Sequence, residues 1–133
     1  MQLVIDASVT ASWLLPDENS PEAEAWLERL NSVGGFAPLL WLYEVTNICV
    51  MAHRRGRLSS LQLADALSRM DKLPIAIDQS VPLMAIRYLA ERHNLTIYDA
   101  AYLELALRLD GHLATFDRAL AEAAKANGVL AIL

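Results

Sequence analysis

At 133 residues, 55% of them hydrophobic, the chain is long enough to bury one core without cross-links and too apolar to be disordered. A single cysteine, Cys49, rules out an intramolecular disulfide framework, fits packing in its apolar stretch, and points to a reducing, intracellular home. A net charge of −5 argues against a protein that holds nucleic acid by bulk charge alone, so a nucleic-acid partner would need the help of a cation.

The opening MQLVIDAS has no positive leader and meets Asp6 early, so it reads as a first strand at LVI (3–5) and not as a signal peptide. The first helix closes on Trp13-Leu14-Leu15-Pro16, and Ser20-Pro21 supplies an N-cap with proline at the first helical position of the second. After a strand at FA (36–37) comes the helix PLLWLYEVTNICVMAH. The apolar run 36–52 carries Glu44 and Asn47 and is too short and too polar to span a membrane. Ser59 with Gln62 makes a capping box for the next helix, and IAI (75–77) is the third strand. From Ser80 on, the pattern is helix, helix, strand at HLAT (112–115), helix, strand at VLAIL (129–133).

Thr96 with Asp99 reads as a second capping box, and Gly56, Gly111 and Gly128 stand where left-handed C-terminal cap residues are wanted. No repeat, low-complexity tract or linker interrupts the chain, so residues 1–133 are read as one domain. Strands alternating with helices predict an α/β fold: a central parallel sheet of about five strands flanked by helices. In such sheets, sites form beyond the carboxyl ends of the strands, and Asp6, Asp78 and Asp117 follow strands closely.

Each acid has an ordinary role open to it. Asp6 and Asp117 can cap the helices that follow, and Asp99 can be the reciprocal partner of Thr96. Glu44 resists that treatment, because Leu40, Trp41, Val45, Ile48 and Met51 surround it on its helix and an unpaired buried carboxylate is expensive. Asn47 is a candidate to hold it by a hydrogen bond; bonding of Asn47 to backbone alone is the other option. If Glu44 projects to the strand ends it meets Asp6, Asp99 and Asp117, with Arg118 the one basic residue beside them. Such a group repels itself unless a hard divalent cation sits in it. All-carboxylate ligation suits Mg²⁺ or Mn²⁺, and no two histidines share a ligand spacing. Mg²⁺ held this way takes phosphate oxygens and water, which points to phosphoryl chemistry.

HRRGR (53–57) is the densest basic run. Arg54 and Arg55 suit the end of a helix dipole, and Arg54, Arg55 and Arg57 equally suit a rim that contacts RNA phosphates. Trp13 and Tyr98 are candidates for core, for stacking on bases, or for seating a partner helix or second subunit. Ser8 and Thr115 are either structural hydroxyls at element ends or bond a water or phosphate.

Taken together, DAS at 6–8, the Pro38-x5-Glu44-x2-Asn47 spacing, RRGRLS at 54–59, YDAAYLELAL at 98–107 and LATFD at 113–117 resemble a PIN domain. Within that superfamily they resemble the VapC toxins of VapBC toxin–antitoxin systems. The resemblance runs from Asp6 to the C-terminus. It implies a PIN-like fold and a cytoplasmic, Mg²⁺-dependent endoribonuclease that hydrolyses RNA with a metal-activated water and leaves a 5′-phosphate. The family's acidic quartet falls on Asp6, Glu44, Asp99 and Asp117, and its hydroxyl beside the last acid on Thr115. On this reading Asp6 and Asp99 bind the principal ion, with Asp117 and Glu44 completing the shell through water or a second ion. The likeness also implies a homodimer, a VapB-type antitoxin in the catalytic groove, and a higher toxin–antitoxin assembly.

Three other readings compete: a PIN nuclease that is not a toxin, a phosphoacceptor receiver domain with its aspartate at Asp78, and a catalytically idle interaction domain. The receiver reading lacks the adjacent acid pair after the first strand. DASVT (6–10) also resembles a haloacid dehalogenase phosphatase start, D-x-D-x-T, but position 8 is serine.

Overall fold

Three consecutive aliphatic residues, Leu3–Ile5, form strand β1, and all are 2% exposed or less. A strand apolar at every position needs cover on both faces, which a parallel sheet with crossover helices provides. The computed structural model describes residues 2–133 and supplies that cover. The elements follow as α1 (Ala7–Leu14), a short 3-10 turn at Pro16–Glu18, α2 (Pro21–Val33), β2 (Gly35–Pro38), α3 (Leu40–Arg54), α4 (Ser60–Asp71), β3 (Ile75–Asp78), α5 (Leu83–His93), α6 (Ile97–Arg108), β4 (His112–Ala114) and α7 (Arg118–Ala126).

The strands lie in the order β3-β2-β1-β4, all parallel. Successive β1 side chains point to opposite faces. Leu3 and Ile5 pack with Val9, Trp13, Trp26 and Leu30 of α1 and α2, while Val4 packs with Trp41, Val45 and residues of α4 to α7. Burial of each such side chain stabilises the fold by about 1.5–3 kcal/mol. Because every strand runs the same way, their carboxyl ends open on one edge, and β1 stands at its centre between β2 and β4.

The predicted fifth strand is represented by one parallel bridge, Leu113 to Leu130, held by Leu113 N donating to Val129 O (2.7 Å) and Ala131 N donating to Leu113 O (2.9 Å). β4 is a three-residue strand, and its outward edge offers the backbone of Leu113 to pair with.

Most helix ends follow local chemistry. Ser20 and Ser59 cap α2 and α4, the latter in a full capping box with Gln62, and Gly56 and Gly128 take positive φ. Beyond α6, however, the left-handed residue is Asp110 (φ 52°) and not Gly111. Gly111 is required for room: a Cβ there would stand 2.4 Å from the backbone oxygen of Gln2. Among the described residues no helix is long and apolar enough to cross a membrane.

Candidate active site

Asp6 follows β1 directly and caps α1. Its Oδ1 accepts from the backbone N–H of Val9 (3.0 Å) and the hydroxyl of Ser8 (2.7 Å), and its Oδ2 accepts from the hydroxyl of Thr115. The two hydroxyls are committed on their other side as well. Ser8 Oγ accepts from Phe116 N (2.9 Å) and Thr115 Oγ1 accepts from Asp117 N (3.0 Å), so each spans Asp6 and the β4–α7 loop. Behind Asp6, Thr10 donates to its carbonyl (2.9 Å) and accepts from the indole N–H of Trp41 (2.9 Å), fixing α1 to α3.

The structural option for Ser8 and Thr115 is therefore realised, and what they structure is the carboxylate. Asp117 caps α7 through Leu120 N (2.8 Å). Asp99 differs: Thr96 accepts its backbone N–H (3.0 Å), but the reciprocal half of the predicted capping box is absent among the described residues. The Asp99 carboxylate is thus left without a capping duty.

Electrostatics tie these acids to one another. Asp6 is 4% exposed; burial pushes its pKa up to about 6 against the pull of three hydrogen bonds, and the charge of Asp99 adds to the rise. Burial raises Glu44, its bond from Tyr102 offsets part of this, and Asp99 pushes it up further. Burial and the charge of Asp117 raise Asp99. Asp99 is the common neighbour: Asp6 and Glu44 feel its charge, and it feels that of Asp117. Among the described residues no ion pair involves any of the four. Arg118, whose side chain is 94% exposed, turns to Glu122.

The donors are all carboxylate oxygens, the chemistry a hard cation such as Mg²⁺ prefers. Among the described residues no group of three His, Cys, Asp or Glu side chains stands close enough to enclose a metal ion as it is. An arrangement that leaves coordination positions to water fits Mg²⁺, which dehydrates reluctantly and is usually held by one or two carboxylates.

Two predicted neighbours sit elsewhere. Asn47 is exposed on α3 and makes no bond to Glu44; the partner of Glu44 is Tyr102 of α6, whose hydroxyl donates to Oε1 at 2.7 Å. Sequence reasoning missed Tyr102. The available signal was its place one helical turn after Asp99, on the same side of α6. Of the basic run, Arg57 is taken up by Asp17 (2.9 Å) and Glu18 (2.7 Å), while Arg54 and Arg55 are exposed. Arg54 stands ten residues beyond Glu44, about 15 Å along α3, so it lies away from that acid.

Trp13 is core, 8% exposed, with its indole N–H bonded to Ala23 O (2.7 Å). Tyr98 is 61% exposed and, with Tyr43, borders an apolar groove of about 260 Å³ that includes Leu39, Val81, Leu83 and Ile97. Asp78 ends β3 at the sheet edge, gripped by both terminal nitrogens of Arg108 (3.0 and 3.1 Å), which also holds Glu104.

The sequence model of the PIN domain matches residues 3–126. This chain belongs to the PIN domain family. The PIN domain is 34% identical over 125 residues to Ribonuclease VapC3 of Pyrobaculum aerophilum, covering 92% of this chain and 94% of that one. It also shares its fold with a crystal structure of PAE2754 from Pyrobaculum aerophilum, with a TM-score of 0.69, 23% identity, and coverage of 94% of this chain and 86% of that one. Within the family the recognised likeness is to the VapC proteins, and the observed sheet is the α/β architecture expected of a PIN domain.

Proposed function

We propose that this PIN domain is a Mg²⁺-dependent endoribonuclease, the toxin of a type II toxin–antitoxin system, hydrolysing RNA phosphodiester bonds at Asp6, Glu44, Asp99 and Asp117. The observation that carries the reading is the convergence of four carboxylates from separate elements at one sheet edge, three of them raised in pKa, with no ion pair to neutralise them among the described residues. A folded protein keeps such self-repulsion where a ligand relieves it.

Asp6 and Asp99 would hold the principal ion, with Asp117 and Glu44 completing the shell through water or a second ion; Mn²⁺ would substitute. When bound, the ion supplies Lewis-acid polarisation of a phosphate oxygen and lowers the pKa of water. The chain supplies orientation. Ser8 and Thr115 fix both oxygens of Asp6, the cap on α7 sets Asp117, and Tyr102 anchors Glu44. Exposed Arg54 and Arg55 are placed to meet RNA phosphates away from the reacting centre.

The similarity to Ribonuclease VapC3 supports RNA as substrate and a VapB-type antitoxin as partner, and the proposed place of action is the cytoplasm. The apolar groove beside Tyr43 and Tyr98 supports homodimer formation, a base for a larger toxin–antitoxin assembly. Purified protein is expected to cut a mixed cellular RNA pool with Mg²⁺ or Mn²⁺, not with EDTA, and Asp6→Asn prepared identically is expected to be inactive. Equal cutting by both proteins would mark a contaminant and defeat the proposal.

A further inference from the structure

Tyr102 is a buried phenol with one hydrogen-bond partner among the described residues. It is 1% exposed, in a helix that packs on β1 and β2, and its hydroxyl reaches Glu44 on α3 at 2.7 Å. A tyrosine placed for apolar packing alone would leave a buried hydroxyl as a cost, and phenylalanine would fill the same volume. Here the hydroxyl spans two helices to the one acid of the four that is neither an N-cap nor in a helix's first turn.

Glu44 is held less firmly than Asp6 or Asp117. Asp6 is held by three hydrogen bonds and Asp117 by its cap, but the longer glutamate side chain has several rotatable bonds and one hydrogen bond among the described residues. Fixing Oε1 leaves Oε2 with no hydrogen bond among the described residues. A phenol keeps its proton near neutral pH, so the hydroxyl donates to the carboxylate.

We propose that Tyr102 is a positioning residue for the acidic site: its hydroxyl fixes the Glu44 carboxylate in the orientation that divalent-ion binding requires. This rests on the metal-binding reading of the four acids. Tyr102 does not touch the substrate; it acts through Glu44.

The test is Mn²⁺ binding by electron paramagnetic resonance on the parent, Tyr102→Phe, Glu44→Gln and the double variant, each folded by circular dichroism. Tyr102→Phe is expected to weaken binding about tenfold or more, the usual effect of losing a group that orients a ligand. In the Glu44→Gln background it should have no further effect. Parent-like affinity in Tyr102→Phe, or an equal loss in both backgrounds, overturns the role. A parent that binds no Mn²⁺ overturns the metal reading and the role with it, a result distinct from the first two. Labelled-tyrosine NMR on the parent gives a measurement free of any folding defect. Mg²⁺ is expected to shift the Tyr102 ring signals at the midpoint of ion binding, and a ring blind to a bound ion overturns the proposal.

Discussion

A carboxylate at an N-cap normally gains from its place, since the N–H group it accepts and the helix dipole favour the ionised form. Asp6 receives that help and two hydroxyl bonds, yet its pKa rises to about 6 because burial and the charge of Asp99 outweigh them. Raised in the folded state above the unfolded value of 3.8, the group contributes stability that is fully present below pH 3.8 and lost as pH rises through about 6. The full loss amounts to about 3 kcal/mol. Asp6→Asn keeps a competent cap and removes the charge. Melting in EDTA should therefore show the variant gaining on the parent from pH 5 to pH 8, and a constant difference would count against the uncompensated charge. The identity of the acids was readable because an acid after a strand, or in an apolar helix, is locally conspicuous. The partner of Glu44 was not. Asn47 is the polar neighbour visible along the helix, whereas Tyr102 arrives from 58 residues away.

Helix ends depend on a few adjacent residues, which is why Ser20, Ser59 and Asp117 announce α2, α4 and α7 in the sequence. Where tertiary contact decides, the local signal misleads. The Thr96 box forms by half, leaving Asp99 to the site, and the joint between α6 and β4 exchanges the roles of two adjacent residues. Asp110 takes the left-handed turn while Gly111 lets the backbone of Gln2 pass, a contact no local rule can supply. That joint sets α6, which carries Asp99, against β4, which leads to Thr115. Gly111→Ala forces a Cβ within 2.4 Å of Gln2 O and is expected to cost about 1–3 kcal/mol in urea unfolding. An unchanged midpoint would show that the strand yields freely.

The order β3-β2-β1-β4 settles what alternation alone left open. Periodicity predicts strands and helices but not which strands are neighbours, so a receiver-like site at Asp78 remained conceivable from sequence. Here β3 is an edge strand and Asp78 is paired with Arg108, apart from the acids around Asp6. On the surface, Val81, Leu83 and Met84 are 57%, 61% and 90% exposed beside the groove of Tyr43 and Tyr98. If a second copy covers this face, Leu83→Asp should halve the mass seen by light scattering while leaving the circular dichroism spectrum unchanged. A parent already monomeric, or a variant still dimeric, would move the pairing face elsewhere.

Leu3 pairs with His112, and Asp6 receives the Thr115 hydroxyl from a residue 109 positions later. Strand β1 must therefore wait for β4 and the loop after it before the carboxylate of Asp6 is held. A growing chain can fold α1 and α2 early, but it has no complete acidic quartet until Asp117 has left the ribosome.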